Sequence, residues 1–146
     1  ARRITSRQQL MDYLAQGFPV VDGVPIGSGW MKTAEDGRFS LGGRTVGGHA
    51  TLKVGYDKRQ NRIYTRNSWA GARWGAVTDS PEFADRSGGR NNVGYCPLDE
   101  YLDRYYSDRD LQSGQTDAFV LNDVPWDDRT PVEPKIKLLS SLEIFG

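Results

Sequence analysis

The fold of this chain is decided by residues 47–69, which read GGHATLKVGYDKRQNRIYTRNSW. Two runs rich in β-branched and aromatic residues flank a polar turn at 57–61, and this pattern predicts a β-hairpin. The segment is nearly symmetric about its turn, so the antiparallel register places His49 opposite Asn67 or a neighbour. Directly opposed residues share one face of a sheet. We therefore expect the single histidine of the chain to meet a side-chain amide.

An imidazole beside a carboxamide has a definite chemical use. The amide holds the ring in one orientation and one tautomer, which leaves the other ring nitrogen available for proton transfer. Two plainer interpretations stay open on these residues alone. His49 can be a core histidine satisfied by a hydrogen bond, and Asn67 can satisfy backbone groups at the end of a strand.

A series of motifs around this pair resembles the papain-like cysteine peptidases. The resemblance covers roughly residues 8 to 121. In chain order the motifs are GGHA at 47–50, VGYD at 54–57, RNSW at 66–69, GARWG at 71–75 and GY at 94–95. The resemblance implies that His49 is the catalytic base, that Asn67 orients its ring and that Trp69 covers their contact. It also implies that Gly48 and Ala50 line this side of the cleft.

The nucleophile of that family has no counterpart in this sequence. The family carries its cysteine on a helix well before the histidine, whereas Cys96 is the only cysteine here and follows both His49 and Asn67. The resemblance is therefore confined to the histidine- and asparagine-bearing half. A thiol needs a neighbouring base or a helix N-terminus to form thiolate, and Cys96 comes just before the short helix expected near 98–106. A stand-alone hydrolase that uses Cys96 with His49 is therefore a further alternative.

Composition limits the other classes of function. The chain has 146 residues, which fits one domain, and its 19 basic residues balance 19 acidic ones. A neutral chain without a basic block argues against nucleic-acid binding, and no apolar run of about 18 residues predicts a membrane span. One histidine and one cysteine without paired spacing do not form a metal site, so we expect no metal and no cofactor.

The start of the chain is polar and shows no secretion signal, and a single cysteine excludes an internal disulfide. We therefore expect an intracellular location or a place in a viral particle.

Local patterns predict the remaining elements of an α+β fold. Ser6 to Gln9 has the form of a capping box before a helix that Gly17 ends, and 18–24 reads as a strand. Residues 25–48 read as irregular with Trp30 and Phe39 as anchors. Residues 76–93 read as an inserted loop, a short helix is expected near 98–106, and 117–121 reads as the last strand. The resemblance makes residues 1–122 a β-rich, papain-like barrel half-domain with an antiparallel sheet.

Residues 123–146 are expected to form an extended C-terminal arm, since prolines at 125, 131 and 134 favour extended backbone. The arm can fold back on its own domain or dock on another protein. Its apolar residues are the candidate partner-binding set: Leu138, Leu139, Leu142, Ile144 and Phe145.

Two functions follow from these observations. The first is a catalytically silent papain-like domain that serves as a binding or assembly module of a larger complex, such as a virus or phage particle. The alternative is the His49/Asn67 half of a split or processed peptidase whose cysteine lies on another chain. In both, the expected partner is protein: either a chain with the missing half or other subunits of an assembly.

Overall fold

The computed structural model describes residues 1–69, 73–81 and 88–120. Within these residues the chain forms six strands, three α-helices and one 3-10 helix. In chain order they are β1 (Arg2–Arg3), α1 (Arg7–Ala15), β2 (Val20–Gly27), the 3-10 helix (Ser28–Met31), β3 (Thr45–Asp57), β4 (Arg62–Arg66), β5 (Val93–Pro97), α2 (Leu98–Tyr105), α3 (Asp108–Ser113) and β6 (Asp117–Val120).

The strands form one antiparallel sheet in the order β1-β6-β2-β3-β4-β5. The expectation of an α+β fold with an antiparallel sheet is confirmed. Among the described strands the sheet is open, with β1 and β5 at its ends, and the barrel half-domain implied by the resemblance stays a prediction. The long strand β3 lies in the middle of the sheet and carries His49.

Helix α1 begins as the capping box predicts. The side chain of Ser6 accepts a hydrogen bond from the backbone N–H of Gln9 at 3.2 Å. The side chain of Gln9 reaches back one residue further than expected and accepts from the N–H of Thr5 at 2.8 Å. Gly17 follows the helix in a left-handed conformation (φ 84°), which a residue with a Cβ adopts at a cost. Leu10 and Leu14 bury one face of α1 in the core.

The hairpin of β3 and β4 is present, but its register differs from the symmetric prediction. The turn is stabilised by the carboxylate of Asp57, which accepts hydrogen bonds from the backbone N–H groups of Arg59 and Gln60. A register shift between Lys53 and Gly55 moves the ladder by one residue, and its last pair is Leu52 opposite Arg66. His49 therefore lies beyond the β3–β4 ladder and is not directly opposed to Asn67.

The segment predicted as irregular contains more regular structure than expected. Strand β2 continues to Gly27 and strand β3 starts at Thr45, and a 3-10 helix lies between them. Trp30 and Phe39 are buried as expected, with ring centroids 4.7 Å apart. Strong cross-strand pairing of β2 with β3 explains the difference, because tertiary contact overrides the weak local preference of a glycine-rich stretch.

Two elements were missing from the sequence-based map. Strand β1 has only two residues and forms through its pairing with β6. Helix α3 is short and polar, so it shows little apolar periodicity. Its start is nevertheless marked by Ser107, whose side chain accepts a hydrogen bond from the N–H of Asp110 at 3.1 Å.

The main core lies between the sheet and the three helices. The turn of the hairpin also holds α2, because the side chain of Asn61 accepts a hydrogen bond from the N–H of Asp99 at 3.0 Å. On α2 the buried positions are Leu98, Tyr101 and Tyr105. A Cβ on Gly94 would lie 2.7 Å from the ring of Trp74, so this close packing requires glycine.

Candidate functional site

The candidate site lies on β3 where this strand passes beyond β4. His49 is half-buried and pairs across the sheet with Val24 of β2. Strand alternation places His49, Thr51 and Lys53 on one face, the same face on which β2 presents Val24. The ring of His49 therefore stands at the end of the inward face of the sheet, next to solvent.

His49 and Asn67 are hydrogen-bonded side chain to side chain. The distance from Nε2 of His49 to Oδ1 of Asn67 is 2.9 Å, and Asn67 is buried. The same Oδ1 accepts the backbone N–H of Ser68 at 2.8 Å, which identifies this atom as the oxygen of the amide. Because an amide oxygen only accepts, Nε2 of His49 carries the proton, and Nδ1 of the neutral ring is left as the basic nitrogen.

Trp69 covers the histidine. The two rings are stacked with centroids 4.6 Å apart and an interplanar angle of 25°. Trp69 is itself held edge-on by Trp74 at 6.0 Å, and the indole N–H of Trp74 donates to the backbone carbonyl of Trp30 at 2.7 Å. The stack shields one face of the imidazole from water and limits its rotation, which favours a single ring orientation.

An open groove of about 460 Å³ runs beside His49. Among the described residues that line it there is no Lys, Arg, Asp or Glu, and a Cβ added to Gly48 would meet no atom within 4 Å. Gly48 and Ala50 are among the residues that line this groove, and their place in a peptidase cleft stays a prediction. The described residues that line the groove are Gly23, Val24, Pro25, Gly48, His49, Ala50, Gly114 and Gln115.

Cys96 lies far from this site. It is fully buried on β5 and pairs with Ile63 of β4, which in turn pairs with Tyr56 of β3. Tyr56 and His49 are separated by about 23 Å along β3, at about 3.3 Å per residue. Burial also raises the pKa of the Cys96 thiol well above its usual value. The alternative of a hydrolase that pairs Cys96 with His49 is therefore wrong.

A second polar group in the core was missed by the sequence reasoning. Asp22 and Lys53 are fully buried and form an ion pair at 2.9 Å. The sequence did contain a signal for this pair. Asp22 interrupts the apolar run 20–24 and Lys53 interrupts the run 50–56, each at a position whose side chain faces inward if strand residues alternate between the two faces of the sheet. The other partners of Asp22 are Thr51, Tyr101 and Tyr106.

The described parts of the chain contain no cluster of three or more histidine, cysteine, aspartate or glutamate side chains with the geometry to hold a metal ion. In the same residues no helix has the length and apolarity that crossing a membrane requires. The predicted partner-binding residues lie outside the described residues: Leu138, Leu139, Leu142, Ile144 and Phe145.

Comparison with known protein families, with curated proteins and with solved structures finds no match for this chain.

Proposed function

We propose that this chain forms the histidine–asparagine side of a papain-like thiol peptidase site, and that the nucleophilic cysteine comes from polypeptide outside residues 1–146. The observation that carries the proposal is the hydrogen bond from Nε2 of His49 to Oδ1 of Asn67. This bond leaves Nδ1 as the base, and Trp69 stacks on the ring and holds it in place.

In the proposed reaction, Nδ1 of His49 takes the proton from the incoming thiol. The thiolate attacks the scissile carbonyl carbon of a peptide, and the same nitrogen then gives its proton to the leaving amine. Asn67 holds the ring and its Nε2 proton throughout, as the third member of a triad does. The uncharged groove beside His49 offers space for the peptide on this side of the site.

The chain by itself is expected to be catalytically silent. Its only thiol, that of Cys96, is buried, and this burial raises the pKa of the thiol. Cys96 also lies on β5, two strands away from β3. The site also lies on an open surface, since β3 is paired only with β2 over residues 45–51 among the described strands. Val46 in this stretch is 46% exposed, which suits coverage by another polypeptide.

The test is covalent labelling of the protein purified with its natural partners. A peptide carrying a thiol-directed electrophile is expected to label a cysteine outside residues 1–146, identified by mass spectrometry of every chain. The His49→Ala variant is expected to lose the labelling, because the thiolate loses its base. Lys58→Ala, in the exposed turn of the hairpin, serves as the matched control and is expected to label normally.

Two outcomes would count against the peptidase proposal. One is the absence of any labelled cysteine in the purified assembly. The other is labelling that persists unchanged in His49→Ala, since the thiol would then be activated by another group.

A second candidate is the assembly module without catalysis, for example in a virus or phage particle. The first part of β3, residues 45–50, is largely exposed and also favours this function, because a glycine-rich strand edge without Lys, Arg, Asp or Glu is a surface for protein contact. Deletion of residues 123–146 is expected to release the protein from its complex and leave the domain folded. Retention of the truncated protein in the complex would argue against the docked arm.

A further inference from the structure

The buried carboxylate of Asp22 on β2 connects the sheet to α2 and to the residues that follow this helix. The side chain of Asp22 is fully buried on β2. Within the described parts of the chain it accepts hydrogen bonds from four side chains. Lys53 at 2.9 Å and Thr51 at 3.4 Å belong to β3, Tyr101 at 2.7 Å belongs to α2, and Tyr106 at 2.8 Å is the C-cap residue of α2.

Both tyrosines act as donors to this carboxylate. Burial, and then the negative charge of Asp22, raise the pKa of Tyr101 and of Tyr106 well above the usual phenol value. Both phenols therefore keep their protons at neutral pH. A hydrogen bond to a buried charge is stronger than one between neutral groups, so loss of either phenol has a measurable effect.

Tyr106 stands at the start of a compact segment. Ser107, the next residue, caps α3, and this helix ends at Gly114 in a left-handed conformation (φ 79°). The N–H of Thr116 donates back to the carbonyl of Asp110 at 3.1 Å, and the hydroxyl of Thr116 donates to the carbonyl of Tyr105. Thr116 thus ties the end of the segment 106–116 back to α3 and to the end of α2.

The end of this segment forms part of the groove beside His49. Gly114 and Gln115 line the groove together with Val24 and Pro25 of β2 and with the neighbours of His49 on β3. The strand residues are held by the sheet ladder. Gly114 and Gln115 lie between α3 and β6, outside the ladder. The segment 106–116 is held by the buried side chain of Leu111, by the pairing of the following Asp117 with Gly23, and by the bond from Tyr106 to Asp22.

We propose that Asp22 is a positioning residue for the groove: through Tyr106 it ties residues 106–116 to the sheet and so places Gly114 and Gln115 beside His49. Lys53 keeps the carboxylate in position by pairing with its other oxygen. The inference rests on the proposed function only where it assigns the groove to a peptide. Its test is made on the chain alone and does not depend on that assignment.

Tyr101 provides a matched control. It bonds the same carboxylate oxygen, Oδ2 of Asp22, and is equally buried, but it lies within α2. That helix is also anchored by Leu98 and Tyr105, so the position of α2 does not depend on one hydrogen bond. The variants Tyr101→Phe and Tyr106→Phe therefore remove the same chemistry at two places, of which only one leads to the groove.

The experiment measures amide hydrogen exchange and amide ¹H–¹⁵N resonances of the chain in both variants. Each variant is expected to raise the global unfolding constant roughly tenfold. Tyr106→Phe is expected to speed exchange of the Thr116 amide at least tenfold beyond this global effect and to shift the resonances of Gly114 and Gln115. Tyr101→Phe is expected to do neither, since the segment keeps its bond to Asp22.

Equal effects of the two variants on Thr116, Gly114 and Gln115, or no effect of Tyr106→Phe, would overturn the proposal. If Tyr106→Phe does not fold, the double variant Asp22→Ala/Lys53→Met is measured in its place. It removes the carboxylate without leaving the buried ammonium unpaired. Exchange of Thr116 at least tenfold faster than the global unfolding of this variant accounts for supports the proposal, and exchange at the globally expected rate rejects it.

Discussion

Nε2 of His49 and Oδ1 of Asn67 lie 2.9 Å apart although the two residues are not opposed in any strand ladder. The contact is diagonal: β4 ends at Arg66, and Asn67 reaches across from the end of that strand. Diagonal neighbours on one face are close enough for side chains of this length to meet. The second hydrogen bond of Oδ1, from the N–H of Ser68, fixes the orientation of the amide.

The first prediction concerns the tautomer of the histidine. In the native chain the neutral ring is expected to carry its proton on Nε2, because Asn67 offers only an acceptor. Asn67→Ala is expected to produce a mixture of the two neutral tautomers. The ¹⁵N chemical shifts of the ring nitrogens measure this directly, and the assignment is unambiguous because the chain has one histidine.

Ser68→Ala is the control for this change, since it keeps the backbone N–H that orients Asn67 and its side chain is exposed. It is expected to show the native tautomer. A single Nε2–H tautomer in Asn67→Ala would show that another group holds the ring.

The second prediction concerns Trp69 as a cover. Trp69→Ala is expected to expose the face of His49 on which the indole is stacked and to speed its modification by diethyl pyrocarbonate about five- to tenfold. Trp69→Phe keeps an aromatic ring at this place and is expected to react at nearly the native rate. Absorbance at 240 nm follows the reaction. Equal rates in native chain and Trp69→Ala would mean that the indole does not shield the ring.

The third prediction concerns the buried ion pair. Lys53→Met or Asp22→Asn alone is expected to cost about 3–5 kcal/mol, because each leaves a charge buried and unpaired. The double variant Asp22→Asn/Lys53→Met is expected to recover most of this loss, since no charge then remains in the core. Urea denaturation of the four proteins gives the coupling free energy. Additive losses in the double variant would show that the two charges do not act as a pair.

The fourth prediction concerns alkaline stability. Burial raises the pKa of Cys96, so the native state keeps the thiol proton while the unfolded chain releases it above about pH 8.5. Between this value and the higher native pKa the unfolded state binds fewer protons, and the free energy of unfolding falls by up to about 1.4 kcal/mol per pH unit. Below about pH 8.5 this contribution is fully retained. Above about pH 10, Tyr101 and Tyr106 add to the loss in the same sense.

The variant Cys96→Ala separates the thiol from the phenols. It is expected to be somewhat less stable at pH 7, because a small core cavity is created, but to show a flatter pH dependence between about pH 8.5 and pH 10. Denaturant titrations at each pH measure both effects. An unchanged slope in Cys96→Ala would assign the alkaline loss to other groups.

Local sequence determined the elements whose causes are local. The capping pair Ser6 and Gln9 placed α1, and the short helix expected near 98–106 is α2, which follows Pro97. The polar turn after Asp57 between two apolar runs established the hairpin. The approach of His49 to Asn67 was also predictable, because strand alternation puts both residues on one face of the sheet and the turn brings the ends of the two strands together.

Only the tertiary structure decided the features that depend on partners distant in sequence. The shift in the β3–β4 ladder, the two-residue strand β1 and the diagonal contact of His49 all follow from pairing and packing. The same holds for Asp22 and Lys53, whose inward-facing positions could be predicted from strand alternation. Four donors, two from β3 and two from the region of α2, converge on the Asp22 carboxylate only after the chain has folded. A single sequence specifies which side a residue faces, whereas the identity of its neighbour depends on register, which the whole sheet sets.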